Sequence, residues 1–130
     1  MHYILFVVAL LASFTAGASE LNYLGAKVLA DHDESSLTPE EMKALLAAQG
    51  VAGGESFGAC SPPSSVAELT PFTVVMKLDA SGKITQTWLE GTSAIARCFH
   101  AAISTRSLNK PPYAPFYTSF EMTWQAKETQ

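Results

Sequence analysis

The stretch Pro71-Phe72-Thr73-Val74-Val75-Met76-Lys77-Leu78-Asp79-Ala80-Ser81-Gly82-Lys83-Ile84-Thr85-Gln86-Thr87-Trp88-Leu89-Glu90 decides the fold. Phe72, Val74, Met76 and Leu78 alternate with Thr73, Val75 and Lys77, the period of two that marks a half-buried strand. Asp79-Ala80-Ser81-Gly82 is turn chemistry, with Gly82 free to take a positive φ. Lys83 to Leu89 alternates again, which sets Ile84 and Trp88 on one face. The expectation is a β-hairpin.

Downstream, Gly91-Thr92-Ser93 opens a helix whose apolar stripe is Ile95, Phe99, Ala102 and Ile103, with Cys98 beside it. That helix is expected to end between Arg106 and Asn109, because Pro111-Pro112 cannot continue it. A last strand follows Pro115, with Phe116, Thr118, Phe120, Met122 and Trp124 on one face and Tyr117, Ser119, Glu121 and Thr123 on the other. A sheet with an apolar face must bury it, and the helix covers that face. The fold class is therefore α+β: a small antiparallel sheet of hairpin plus C-terminal strand, packed by a helix.

Upstream, residues 19–58 read as a helical N-terminal region. Leu21, Leu24 and Val28 are spaced for a short amphipathic helix near 20–30, and Asp31 to Ser36 reads as a polar loop. Thr38-Pro39-Glu40-Glu41 is a helix start with Thr38 as N-cap, Pro39 at N1 and Glu41 closing a capping box. Met42, Leu45, Leu46 and Gln49 follow, and Gly50 is the expected stop. Residues 59–70 form a linker, to which Gly53-Gly54, Gly58 and Pro62-Pro63-Ser64-Ser65 contribute turn residues. Residues 71–125 are the hairpin-helix-strand unit and 126–130 a tail.

The apolar run from Tyr3 to Ala12, closing on Ala16-Gly17-Ala18, has the form of a secretory signal peptide over residues 1–18, although Met1-His2 supplies no Lys or Arg. It is diluted by Ser13, Thr15 and Gly17, and a spanning helix needs about 20 predominantly apolar residues. Cleavage after Ala18 is expected, leaving no stable membrane anchor and a periplasmic or secreted protein. In that compartment Cys60 and Cys98, the only two cysteines, most simply form one disulfide. Two free thiols or a metal pair are the alternatives, and their wide spacing lacks the C-x-x-C of a zinc site. A net charge of −4 with eight scattered Lys and Arg argues against a nucleic-acid or anionic-membrane surface.

No catalytic constellation emerges. His32 lies among Asp31, Asp33 and Glu34, but neighbouring residues in a loop point in different directions, and a solvated acidic loop is the expectation. Cys98 and His100, two residues apart on a helix, diverge by about 200° and cannot hydrogen-bond each other. Gly53-Gly54 and Gly58 lack the lysine and context of a phosphate loop. Neither a cofactor nor a metal site is expected. Glu90 and Glu121 could meet across strands on a solvated rim. The aromatic stretch beside Pro111, Pro112 and Pro115 makes Tyr113 and Tyr117 candidates for partner contact.

The hairpin Thr73–Thr85, with its D-x-x-G-K-I turn, resembles the hairpin of TonB and TolA C-terminal domains. The helix Ser93–Arg106, the loop Leu108-Asn109-Lys110-Pro111-Pro112 and the Phe-rich last strand are similar to the helix, Pro-containing loop and final strand of that family. The resemblance covers about residues 70–125. It implies a periplasmic protein-docking domain in which an exposed sheet edge pairs with a partner segment. It does not carry the family's transducer role, since the segment before residue 70 is too short to span a periplasm. The function expected is an exported, non-enzymatic protein-binding module whose partner is another protein, one of the cell envelope. The alternative is a secreted inhibitor or immunity-type protein that plugs an enzyme with the loop Gly50–Gly58 or Asn109–Ala114, and a small hydrolase ranks third.

Overall fold

A computed structural model describes residues 20–124 of this protein. The leader expected at 1–18 and the tail at 126–130 lie outside them. Three helices and three strands follow in the order α1 (Tyr23–Ser35), α2 (Pro39–Gly58), β1 (Phe72–Leu78), β2 (Ile84–Glu90), α3 (Ala94–Ile103) and β3 (Phe116–Met122), with a short 3₁₀ turn at Val66–Glu68 before β1. The sheet is antiparallel with the order β2-β1-β3. The α+β class and the Cys60–Cys98 disulfide are both present.

The hairpin turn works as its residues suggest. Asp79 Oδ1 accepts hydrogen bonds from Ser81 N–H at 2.9 Å and Lys83 N–H at 3.0 Å, as well as from the Ser81 hydroxyl. Those donors hold the Asp79 carboxyl below its ordinary pKa, with the Ser81 side chain the largest cause. Gly82 has φ +91°, and a Cβ there would lie 2.6 Å from the carbonyl oxygens of Leu108 and Asn109. The incoming loop bonds this turn, Leu108 N–H to Gly82 O at 2.8 Å, and Ile84 N–H to Arg106 O at 3.2 Å. Those two bonds explain why α3 ends at Ile103 rather than near Arg106: the chain leaves the helix to pair with the hairpin.

Helices cover both faces of the sheet. On one, α2 and α3 pack Leu45, Ala52, Ile95, Phe99 and Ile103 against Phe72, Val74, Met76, Leu78 and Phe116. On the other, α1 sets Ala26 and Ala30 against Val75, with Trp88 and Tyr117 at the margin. So β1 is not half-buried: Val75 is as buried as Val74, because α1 takes the face that the alternation assigned to solvent. The register shifts between Lys77 and Leu78, where Gln86 and Ile84 are the successive partners. That bulge leaves Thr85 unpaired and reverses the facing. Ile84 joins the α2–α3 core while Trp88 turns to α1, so the two do not share a face.

Two upstream expectations are corrected. Asp31 to Ser35 is not a loop but the last turns of α1, capped at its start by Asn22 Oδ1 accepting from Gly25 N–H at 2.9 Å. The capping box at Thr38 and Glu41 is formed, yet α2 does not stop at Gly50; it continues through Gly53 and Gly54 to Gly58. Gly53 explains the glycine-rich run. A Cβ there would come 2.7 Å from the Phe120 ring, whereas at Gly54 it meets nothing within 4 Å. Glycine is thus a packing requirement at one position and a cost at the next. Gly54→Ala is expected to stabilise the protein by up to about 1 kcal/mol through helix propensity. Gly53→Ala is expected to destabilise it by about 1–2 kcal/mol through overpacking. Paired thermal melts check the opposite signs, and equal shifts would contradict the packing account.

Candidate functional site

In a three-stranded sheet the edges are where another chain can add a strand, since each carries unpaired N–H and C=O groups. Here the two edges differ. At β3, Tyr117 N–H donates to Asp33 Oδ2 at 2.9 Å, and Ser119 N–H donates to Glu34 Oε1 at 2.8 Å. Glu34 Oε1 also accepts from the Thr118 hydroxyl at 2.8 Å. From α2, Gln49 Nε2 donates to Ser119 O at 3.2 Å and Thr118 Oγ1 at 2.8 Å. Side chains of two helices therefore satisfy the outward N–H of Tyr117 and both outward backbone groups of Ser119, at the middle of β3. Asp33 is only 7% exposed, and those bonds, with one from the Tyr113 hydroxyl at 2.8 Å, are what make its burial tolerable.

The β2 edge is open. Ser119 turns its N–H and C=O outward, so in antiparallel geometry its partner Val75 turns its own toward β2, where Trp88 receives them. Thr87 and Leu89 then face away from the sheet. Among the described residues, the backbone of β2 bonds outside the sheet only through Ile84, at the hairpin end. From Thr85 to Glu90 the outer side has no backbone partner among the described residues. The strand contains no proline and no lysine, two of the devices that commonly blunt such an edge.

The candidate residues fall in several places. Tyr113 is 43% exposed but committed inward: it donates to Asp33, lies 3.0 Å from the Ser36 hydroxyl and packs edge-on against Phe116. Burial, followed by the neighbouring Asp33, raises its phenol pKa. Tyr117 is half-buried between α1 and the sheet, 6.0 Å from the Trp88 ring. The two tyrosines thus stand at the guarded β3 edge, away from the open one. Glu90 and Glu121 do not meet: Thr73 lies between them as the partner of both, and Glu121 takes Lys27 at 2.9 Å. His32 is solvent-facing, as expected, but it sits on a helix, and its neighbour Asp33 is buried rather than solvated.

Cys98 is bridged and is no nucleophile. His100 instead reaches β2, its Nε2 2.8 Å from Thr87 Oγ1, which is 3.0 Å from the Ser104 hydroxyl. Partial burial lowers the imidazole pKa and favours its neutral form. No side chain among the described residues orients His100 through Nδ1, and the trio serves to brace α3 against β2. A cleft of about 300 Å³ opens between the start of α2 and the 109–112 loop, floored by Leu45, Leu78 and Phe116. Of its carboxylates, Glu41 is spent on the capping box. Among the described residues, no group of three or more His, Cys, Asp or Glu is placed to hold a metal ion, and no helix is long and apolar enough to cross a membrane.

Comparisons with family models, curated proteins and solved structures return no match. The site residues that sequence reasoning missed are Asp33, Glu34 and Gln49. A signal for the first two exists in hindsight: carboxylates in the last turn of a helix face the negative end of its dipole, so they require donors from elsewhere. Recognising it requires knowing that the helix extends that far.

Proposed function

We propose that the protein is an exported, non-enzymatic binding module that takes an extended segment of a partner protein onto the outer edge of β2. The observation that carries this reading is the asymmetry of the sheet: the middle of one edge is capped by the protein's own side chains, and the other presents Thr87 and Leu89 with backbone groups that have no partner among the described residues. The resemblance to TonB and TolA C-terminal domains supports the same mode, pairing through a sheet edge in the periplasm. The disulfide supports an oxidising compartment, where such bonds persist. For the inhibitor reading, Gly50–Gly58 belongs to α2 and offers no plug, which leaves that reading only the Asn109–Ala114 loop between α3 and β3.

The edge can be tested without knowing the partner. Thr87→Pro removes one outward N–H, while Thr87→Val removes the hydroxyl brace and keeps that N–H. Losing one backbone bond and leaving its mate unpaired costs about 1–3 kcal/mol, on the order of tenfold or more in affinity. In pull-downs from envelope extract, a protein captured by the wild type is expected to be retained by Thr87→Val and lost by Thr87→Pro. Equal capture by a folded Thr87→Pro overturns pairing at this edge.

A further inference from the structure

The contacts along β3 do more than satisfy a strand. Carboxylate oxygens of Asp33 and Glu34 accept from the N–H groups of Tyr117 and Ser119, and the Gln49 amide donates to the Ser119 carbonyl. Acceptor, acceptor and donor stand where the backbone of a fourth strand would place them. We propose that α1 is a guard of the β3 edge, whose last-turn carboxylates keep a second copy of this chain from pairing there, strand β3 against strand β3.

The choice of occupant follows from the strand itself. Both polar groups of Ser119 point outward, and its carbonyl keeps a second lone pair beside the Gln49 amide, so a two-fold axis through Ser119 lets two copies exchange a reciprocal pair of N–H to O bonds at that residue. The same axis places Tyr117 opposite the second copy's Glu121, and joins two three-stranded sheets into one. At its C-terminal end the hold of the guard is polar. Toward the sheet α1 sets Ala26 and Ala30 against Val75, with Leu21 and Tyr23 packed beside them, while Leu24 and Val28 are 70% and 67% exposed. Further anchors include the Trp88 indole N–H to Leu21 O at 2.8 Å and the Lys27–Glu121 pair. Removing the two carboxylates strips α1 of its hold at the C-terminal end and leaves two strand N–H groups without acceptors, each a cost that a second copy relieves. This inference is independent of the partner reading, which uses the opposite edge.

The test is Asp33→Ala combined with Glu34→Ala, followed by light scattering over a concentration series. The wild type is expected at the mass of one chain and the folded double variant at twice that mass. Adding Ser119→Pro to the double variant is expected to return a single-chain mass, because it deletes the central outward N–H without removing a bond to β1. A folded double variant that stays a monomer at every concentration overturns the guard, as does a dimer indifferent to Ser119→Pro. Should the double variant fail to melt cooperatively, hydrogen exchange on the wild type decides. The amides of Tyr117 and Ser119 are expected to be protected like those of β1, and exchange as fast as in the Ser61–Ser65 loop overturns the proposal.

Discussion

Replacing Cys60 and Cys98 by serine is expected to lower the melting temperature by on the order of 15 °C. The two residues are 38 apart in sequence, and their bridge joins the segment just beyond α2 to the middle of α3. In the chain-entropy account, closing a loop of that size restricts the unfolded chain by about 4 kcal/mol. A domain of roughly this size loses about 4–8 °C per kcal/mol, and engineered or native bridges often deliver somewhat less than the ideal. Only the helical layer holding Phe57 and Phe99 is tied by the bridge; α1, on the opposite face, is not. Thermal melts of the wild type with and without reductant give an internal control: the reduced wild type is expected to coincide with the double serine variant. A melt insensitive to reductant, with the sulfurs shown to be reduced, contradicts this assignment of stability.

Phe99→Ala is expected to cost about 3–5 kcal/mol, the range for deleting a fully buried ring. Phe99 has no exposed surface, and its ring centroid lies 4.5 Å from Phe57, 4.7 Å from Phe120 and 5.4 Å from Phe72. It is therefore where α2, α3, β1 and β3 converge. Against a typical total of about 5–15 kcal/mol, that loss places the variant near the edge of folding. Denaturant titration, with the slope compared between variant and wild type, measures it. A loss under about 1 kcal/mol would mean that the neighbouring rings collapse into the space. Because Cys98 adjoins Phe99 on the same helix, the ring and disulfide variants are expected to be non-additive.

Much of the fold was legible locally. The hairpin, the Thr38 capping box, the stripe of α3 and the alternation of β3 all rest on short-range chemistry: turn residues, caps and periodicity. What misled was composition read without neighbours. Gly50 suggested a stop and Gly53-Gly54 a linker, yet Gly53 is there because α2 crosses close to Phe120. A run of acids suggested solvent, yet Asp33 is buried under β3. Ile84 and Trp88 shared a parity that one bulged residue undid. Of the tyrosines singled out for partner contact, Tyr113 turns its hydroxyl to Asp33 and Ser36, and Tyr117 packs its ring beside Trp88.

By itself, then, the amino-acid order determined which segments become strands and helices, where the hairpin turns, and that two sulfurs stood available for one bridge. Those outcomes depend on interactions within a few residues, or on there being only one pairing to make. Tertiary structure alone decided that both faces of β1 are covered and that β2 rather than β3 is the free edge. The reason is physical: whether a backbone N–H is unpaired depends on what another element, distant in sequence, places within about 3 Å of it.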